Sequence, residues 1–171
     1  MTALLRCAAA AALCLLTALP AAAGGLKPLT PRPAPALKLA SLAGPAIDLA
    51  SLRGKVVLVN FWATWCPPCR KEIPSMNRLA ARMAGRPFAI LGVNMGDNPA
   101  DIRAYTQQVP IEFAILPDPD GNLLKPWQVV AFPTSYVVDK QGRIRLGLFG
   151  SIEWDSPEAV AELERLLAEP D

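Results

Sequence analysis

The sequence has no histidine and only four cysteines among its 171 residues. Without an imidazole, the chain alone cannot build a Ser-His or Cys-His nucleophilic pair, a Cys2His2 zinc site or a histidine-ligated haem. A charge excess of either sign is also missing. The 17 Lys and Arg face 15 Asp and Glu, and this net +2, with its basic residues dispersed, gives no footprint for nucleic acid. There is no internal repeat. The length suits one domain, large enough to bury a core without disulfide staples.

Residues 1–23 carry one charge, Arg6, followed by an Ala/Leu-rich run from Cys7 to Leu19 and an Ala21-x-Ala23 end. This pattern predicts a secretory signal cut after Ala23, with the mature protein periplasmic or otherwise extracytoplasmic. The alternative is an uncleaved anchor on the outer face of the inner membrane. Against it, the apolar run lies at the short limit for a bilayer, and Pro20 interrupts it. Neither Cys7 nor Cys14 follows a Leu-x-small lipoprotein pattern. Cleavage leaves Cys66 and Cys69 as the only thiols, too few for a disulfide framework or a four-ligand zinc site. Residues 24–36, GGLKPLTPRPAPA, have four prolines and no hydrophobic period, the composition of an unpacked polyproline-biased tether. The folded domain is therefore read as residues 37–171.

Leu37–Ala40 and Ala46–Leu49 read as a small hairpin around Gly44-Pro45. Lys55–Trp62 is a near-continuous apolar run, as in a strand buried on both faces. Pro67 to about Ala84 reads as a helix with Ile73, Met76, Ala80 and Met83 on one stripe, and Pro74 predicts a kink. A strand at Phe88–Met95 precedes a helix capped by Asn98-Pro99 and an extended segment at Ile111–Leu116. A hairpin of Pro133–Val138 and Arg143–Phe149 follows. Ser156-Pro157 caps the last helix, whose Val160, Leu163 and Leu167 face inward. The order describes a mixed α/β domain.

Trp65-Cys66-Pro67-Pro68-Cys69 follows the buried strand and opens a helix. A thiol at a helix N-terminus meets the positive end of the macrodipole and free N–H groups, which favour thiolate. The two-residue spacing lets the sulfurs reach each other and close a disulfide. Cys66 is read as the exposed nucleophile and Cys69, one turn in, as the shielded resolving thiol. Zinc knuckles also use C-x-x-C, but one pair without histidine favours redox chemistry.

Residues 54–72, GKVVLVNFWATWCPPCRKE, together with Phe132-Pro133-Thr134, resemble the exported TlpA-like and ResA-like thiol–disulfide oxidoreductases of the thioredoxin superfamily. The resemblance implies a thioredoxin fold, a central mixed β-sheet flanked by helices, here with an extra N-terminal β-hairpin. It implies that Pro133 is cis against the cysteine pair. It also implies that Trp65, Pro67, Pro68, Phe132, Pro133 and Thr134 dock the substrate, Phe132 by β-augmentation. Ala131-Phe132 replaces the family's usual Gly-Val before that proline. No cofactor is implied. The implied partners are exported proteins bearing disulfides and a membrane thiol electron donor, with the chain acting as a monomer. The family includes cytochrome c maturation reductants.

Glu72 has two readings. It is either a solvated helix residue paired with neighbouring Lys or Arg, or a carboxyl at the rim of an apolar stripe whose raised pKa lets it exchange the Cys69 proton. ResA-like proteins have a functional Glu at the matching place, and the resemblance favours the second. Asn60, mid-strand, cannot titrate and is read as a hydrogen-bonded core amide. Trp65 is read as shielding the disulfide, and Trp62, Met95 and Trp127 as packing residues. Arg78, Arg82 and Arg86 read as a solvated helix face. Asp118, Asp120 and Asn122 lack the further ligands of a calcium loop and read as a turn. Pro67 and Pro68 offer no N–H to a Cys66 thiolate, which leaves chiefly those of Cys69 and Arg70. A poorly stabilised dithiol lowers the potential, so the pair is expected to act as a reductant. The alternative class is a Cu(I)-handling protein using Cys66, Cys69 and Met76.

Overall fold

The computed structural model describes residues 25–170, so the expected signal at 1–23 lies outside the described residues. In chain order the elements are β1 (Lys27–Pro33), β2 (Lys38–Ser41), β3 (Gly44–Asp48), a 3-10 turn at Leu49–Leu52, β4 (Val56–Trp62), α1 (Pro67–Arg82), β5 (Phe88–Met95), α2 (Pro99–Gln108), β6 (Ala114–Asp118), β7 (Thr134–Val138), β8 (Arg143–Phe149) and α3 (Pro157–Ala168).

Every residue of β4 is buried, and its alternating side chains feed opposite faces. Val57, Val59 and Phe61 enter a core with Leu37, Leu49, Trp127 and Tyr136. Val56 and Leu58 enter a second core with Met76 and Leu79 of α1 and Leu163 and Leu166 of α3. β4 runs parallel to β5, and β5 to β6. Such parallel neighbours need crossovers, which α1 and α2 supply. On its other side β4 pairs antiparallel with β7, and β7 with β8. The sheet order is β1-β8-β7-β4-β5-β6, with β2 and β3 as a separate hairpin. This is the mixed sheet, flanking helices and extra hairpin that the resemblance implies. The extended segment expected at Ile111–Leu116 pairs as β6, displaced toward Asp118.

The tether expected at 24–36 is corrected: Lys27–Pro33 is a strand, paired antiparallel with β8. β1 lies at the sheet edge, where proline, lacking a ladder N–H, is tolerated. Leu29 packs on the core. It does so over Gly147, where a Cβ would stand 2.8 Å from the Leu29 Cδ1. The folded unit thus begins ten residues earlier than the Leu37 boundary.

Arg78 of α1 is solvent-exposed as expected, and Arg86, which lies past the helix end at Arg82, is also exposed; both carry surface ion pairs. Arg78 bonds Asp155 at 2.5 Å and Glu153 at 2.9 Å, and Arg86 bonds Glu164 of α3 at 2.6 Å. The Arg78 pairs link α1 to the loop before α3, and the Arg86 pair links the turn after α1 to α3.

Candidate active site

β4 ends at Trp62, and the chain passes through Ala63-Thr64-Trp65 into α1. Cys66 is the N-cap of α1, in extended conformation (φ −90°, ψ 105°). Its Sγ accepts from the Cys69 backbone nitrogen at 3.3 Å, while the Arg70 N–H goes to the Cys66 carbonyl at 3.1 Å. Pro67 and Pro68 fill the first helical positions, where a missing N–H costs least. Of the two donors expected from the sequence, only Cys69 reaches the sulfur. Cys66 and Cys69 are joined as a disulfide, with Cα atoms 5.3 Å apart.

The expectation of an exposed Cys66 is corrected. Cys66 is 3% exposed and Cys69 0%. Both lie in an apolar cluster with Trp62, Ile73, Ile102 and Ile115, and Phe132 packs against it. Trp65, expected as the shield, is 63% exposed. It stands edge-on to Phe132 at 5.9 Å, so Phe132 is the nearer cover.

The Phe132-Pro133 peptide bond is cis. Its loop is anchored on both sides: the Pro133 carbonyl accepts from Gly150 N at 2.9 Å, and Thr134 Oγ1 donates to the Ala131 carbonyl at 2.8 Å. Thr134, buried at the start of β7, faces Phe61 of β4 in register. The backbone N–H and C=O of Phe132 make no hydrogen bond among the described residues, so they remain open to an extended segment.

Glu72 is 1% exposed, which removes the solvated-helix reading. Its Oε1 accepts from Asn60 Nδ2 at 2.8 Å and its Oε2 from Trp154 Nε1 at 3.0 Å. Asn60 also donates to Ser135 Oγ at 2.9 Å, and so is the bonded core amide expected of it. Burial pushes the Glu72 carboxyl up from its ordinary 4.5 to about 7. Hydrogen bonds from Trp154, Asn60 and the Ile152 backbone pull the other way. Beside it lies a cavity of about 210 Å³ lined by Lys71, Glu72, Ser151, Ile152 and Glu153.

Sequence reasoning missed Trp154, Ser75 and Asp97. A tryptophan stranded between Glu153 and Asp155, just before a helix cap, was the available signal for the first. Met76, the third soft ligand of the copper alternative, is wholly buried in the α1–α3 core, in a different cluster from the cysteines. Asp118 ends β6 and braces the turn that follows, its carboxylate accepting from the nitrogens of Asn122 and Leu123 at 3.0 and 2.8 Å. Trp62, Met95 and Trp127 are core residues. Among the described residues, no cluster of three or more Cys, Asp or Glu could hold a metal, and no helix is long and apolar enough to cross a membrane.

Residues 31–146 match the model of the AhpC/TSA family. The chain is 32% identical over 111 residues to the thiol-disulfide oxidoreductase ResA of Bacillus thuringiensis subsp. konkukian. That match covers 65% of this chain and 64% of the relative. It is 33% identical over 119 residues to ResA of Geobacillus thermodenitrificans, covering 70% of this chain and 68% of that one. Among solved structures, a thiol:disulfide interchange protein of the thioredoxin family from Chlorobium tepidum superposes with a TM-score of 0.70 at 28% identity. The superposition covers 82% of this chain and 99% of that one.

Proposed function

This chain belongs to the AhpC/TSA family and is a ResA-like member of the thioredoxin superfamily, and from that premise we propose that it is a thiol–disulfide oxidoreductase that reduces disulfides of partner proteins outside the cytoplasm. The supporting observation is the Cys66–Cys69 disulfide, with Cys66 as the helix cap.

In the reduced protein, the Cys66 thiolate attacks one sulfur of a partner disulfide. That S–S bond breaks, one partner sulfur leaves as a thiol after taking a proton, and a mixed disulfide forms. Glu72 accepts the Cys69 proton, and the Cys69 thiolate attacks Cys66 Sγ. The second partner sulfur is released with the proton that Glu72 took from Cys69, and the intramolecular disulfide closes. Two electrons have passed to the partner, and the proton taken by its first sulfur comes from solvent, which received that of Cys66 when the thiolate formed. Phe132 offers its free backbone groups to the extended segment carrying the target disulfide. Trp65, Pro67, Pro68, Pro133 and Thr134 frame the approach.

The direction is reductive because a single backbone N–H reaches Cys66 Sγ. A thiolate with so little support makes a poor leaving group and a good electron donor. A membrane thiol donor returns the pair to the dithiol form. Apocytochrome c and copper-site proteins are the substrate classes suited to such a reductant. The test is reduction of insulin by the purified protein, beside its equilibrium with glutathione. Both activities should vanish in Cys66→Ser. Trapping with Cys69→Ala should retain the mixed-disulfide partner. Cu(I) binding without thiol exchange would replace this reading with the metal-handling one.

A further inference from the structure

Both oxygens of Glu72 accept from groups that can only donate, the Trp154 indole N–H and the Asn60 amide nitrogen. When the carboxyl is protonated, neither of these contacts can take the proton, so both favour the anion. Burial favours the neutral acid. Of the hydrogen bonds that oppose burial, the one from Trp154 is the strongest.

Trp154 is itself held in place. It is wholly buried in the α1–α3 core. Its backbone N–H donates to Ser75 Oγ at 3.0 Å, and that hydroxyl donates to the Glu72 carbonyl at 2.7 Å. One residue of the loop between β8 and α3 therefore grips α1 twice, through its backbone and through its ring. Among the described residues, no charged group makes a hydrogen bond to the carboxyl. Lys71 and Glu153 line the neighbouring cavity, and Asp155 is taken up by Arg78. From β4 and β7 the facing groups are the uncharged Asn60 and Ser135. The Cys66–Cys69 disulfide carries no charge.

We propose that Trp154 is the positioning residue of Glu72: its indole N–H fixes Oε2 one helical turn from Cys69 and keeps the buried carboxyl able to release its proton. The proposal rests on the reading of Glu72 as proton acceptor for Cys69. Without the indole, burial would leave Glu72 a neutral acid through the physiological range, unable to take the Cys69 proton.

The test titrates the oxidised full chain by NMR with labelled glutamate carboxyl carbons, using Glu72→Gln to identify the Glu72 signal. The wild-type midpoint should lie at about 7. In Trp154→Phe it should rise by about one pH unit, the size of a lost hydrogen bond to a charged group. Replacing Trp154 with benzothienylalanine keeps the shape of the indole but not its N–H, and should give the same rise where Phe packs poorly. The pH profile of disulfide exchange should move to higher pH by the same amount, with Glu72→Gln removing that limb of the profile. An unchanged midpoint in the folded isostere overturns the role of Trp154. An exchange profile unaffected by Glu72→Gln overturns instead the reading of Glu72 on which the proposal rests.

Discussion

Asp97 holds Thr64: its carboxylate accepts from the Thr64 backbone nitrogen at 2.8 Å and from the Thr64 hydroxyl at 3.0 Å. The same carboxylate accepts from Asn94 Nδ2 at 2.9 Å. Asp97 follows the end of β5, and Thr64 lies two residues before Cys66. The loop that delivers the cysteine is thus tied to the neighbouring parallel strand as well as to its own. A cysteine at a helix cap gains from such anchoring, because the donor geometry around its sulfur depends on where the preceding turn enters the helix.

Asp97→Ala should leave the Thr64 N–H and the Asn94 amide without their acceptor, and lower stability by about 1–3 kcal/mol. Amide exchange would locate the loss. The Thr64 amide should exchange faster, while those of Val57 and Val59 in β4 keep their protection. Equal exchange at Thr64 in the variant and wild type would show that Asp97 does not hold the turn.

Two strand glycines should respond differently to Ala. A Cβ at Gly92 would stand 2.8 Å from Phe113 Cε2 and 3.1 Å from Trp62 Nε1. Trp62 is buried beside the cysteines, so Gly92→Ala should cost about 1–3 kcal/mol by overpacking. At Gly147 the nearest atom is a methyl of Leu29, a flexible side chain on the edge strand. Gly147→Ala should cost less, with β1 loosening to accommodate it. Urea midpoints of the two variants give the comparison, and a larger loss at Gly147 would contradict it.

In the reduced protein, Cys66 should alkylate before Cys69. Cys69 is fully enclosed one turn into α1, whereas Cys66 is at the cap with a sliver of exposure. Because Phe132 packs over the cluster, Phe132→Ala should speed labelling of Cys66 and leave Cys69 slow. Mass spectrometry after a short iodoacetamide pulse reads both. Preferential labelling of Cys69 would reverse the assignment of nucleophile and resolving thiol.

What was legible in the sequence was local. β5 and α2 lie where the apolar run and the Asn98 cap put them, since periodicity and capping act over a few residues. The cysteine pair and the position of Glu72 could be read for the same reason. β1 could not be read, because a proline-rich segment becomes a strand only when an edge is there to receive it, and Gly147 lies far along the chain. Phe132 packs against the cluster that encloses Cys66, and Trp154 and Asn60 close on Glu72. The Phe132 and Trp154 contacts join segments that no window of the sequence brings together, and Asn60 meets Glu72, 12 residues on, only because α1 packs back on β4. The reading of Glu72 as a rim residue fell short because one turn of helix says nothing about the loop that closes over it.

The titration of Glu72 should be visible in stability as well as in kinetics. Its carboxyl holds a proton up to about pH 7 in the folded protein, against an ordinary 4.5. Between those values the native state binds more protons than the unfolded chain, so stability falls as pH rises. The contribution is fully present below about 4.5 and is lost as pH rises through about 7. A separation of that size corresponds to about 3 kcal/mol across the window. Glu72→Gln cannot titrate, and it places its amide nitrogen against one of two donors, which lowers its stability by a pH-independent amount. The informative quantity is therefore the difference between the two stability curves from pH 4.5 to 8.5, in which the other carboxylates cancel. Wild type should lose stability relative to Glu72→Gln as the pH rises, most steeply at about pH 6, midway between the two values, and level off above about 7. Parallel curves from urea denaturation would mean that the carboxyl does not carry its proton into the neutral range, and the proton-acceptor role would lose its physical basis.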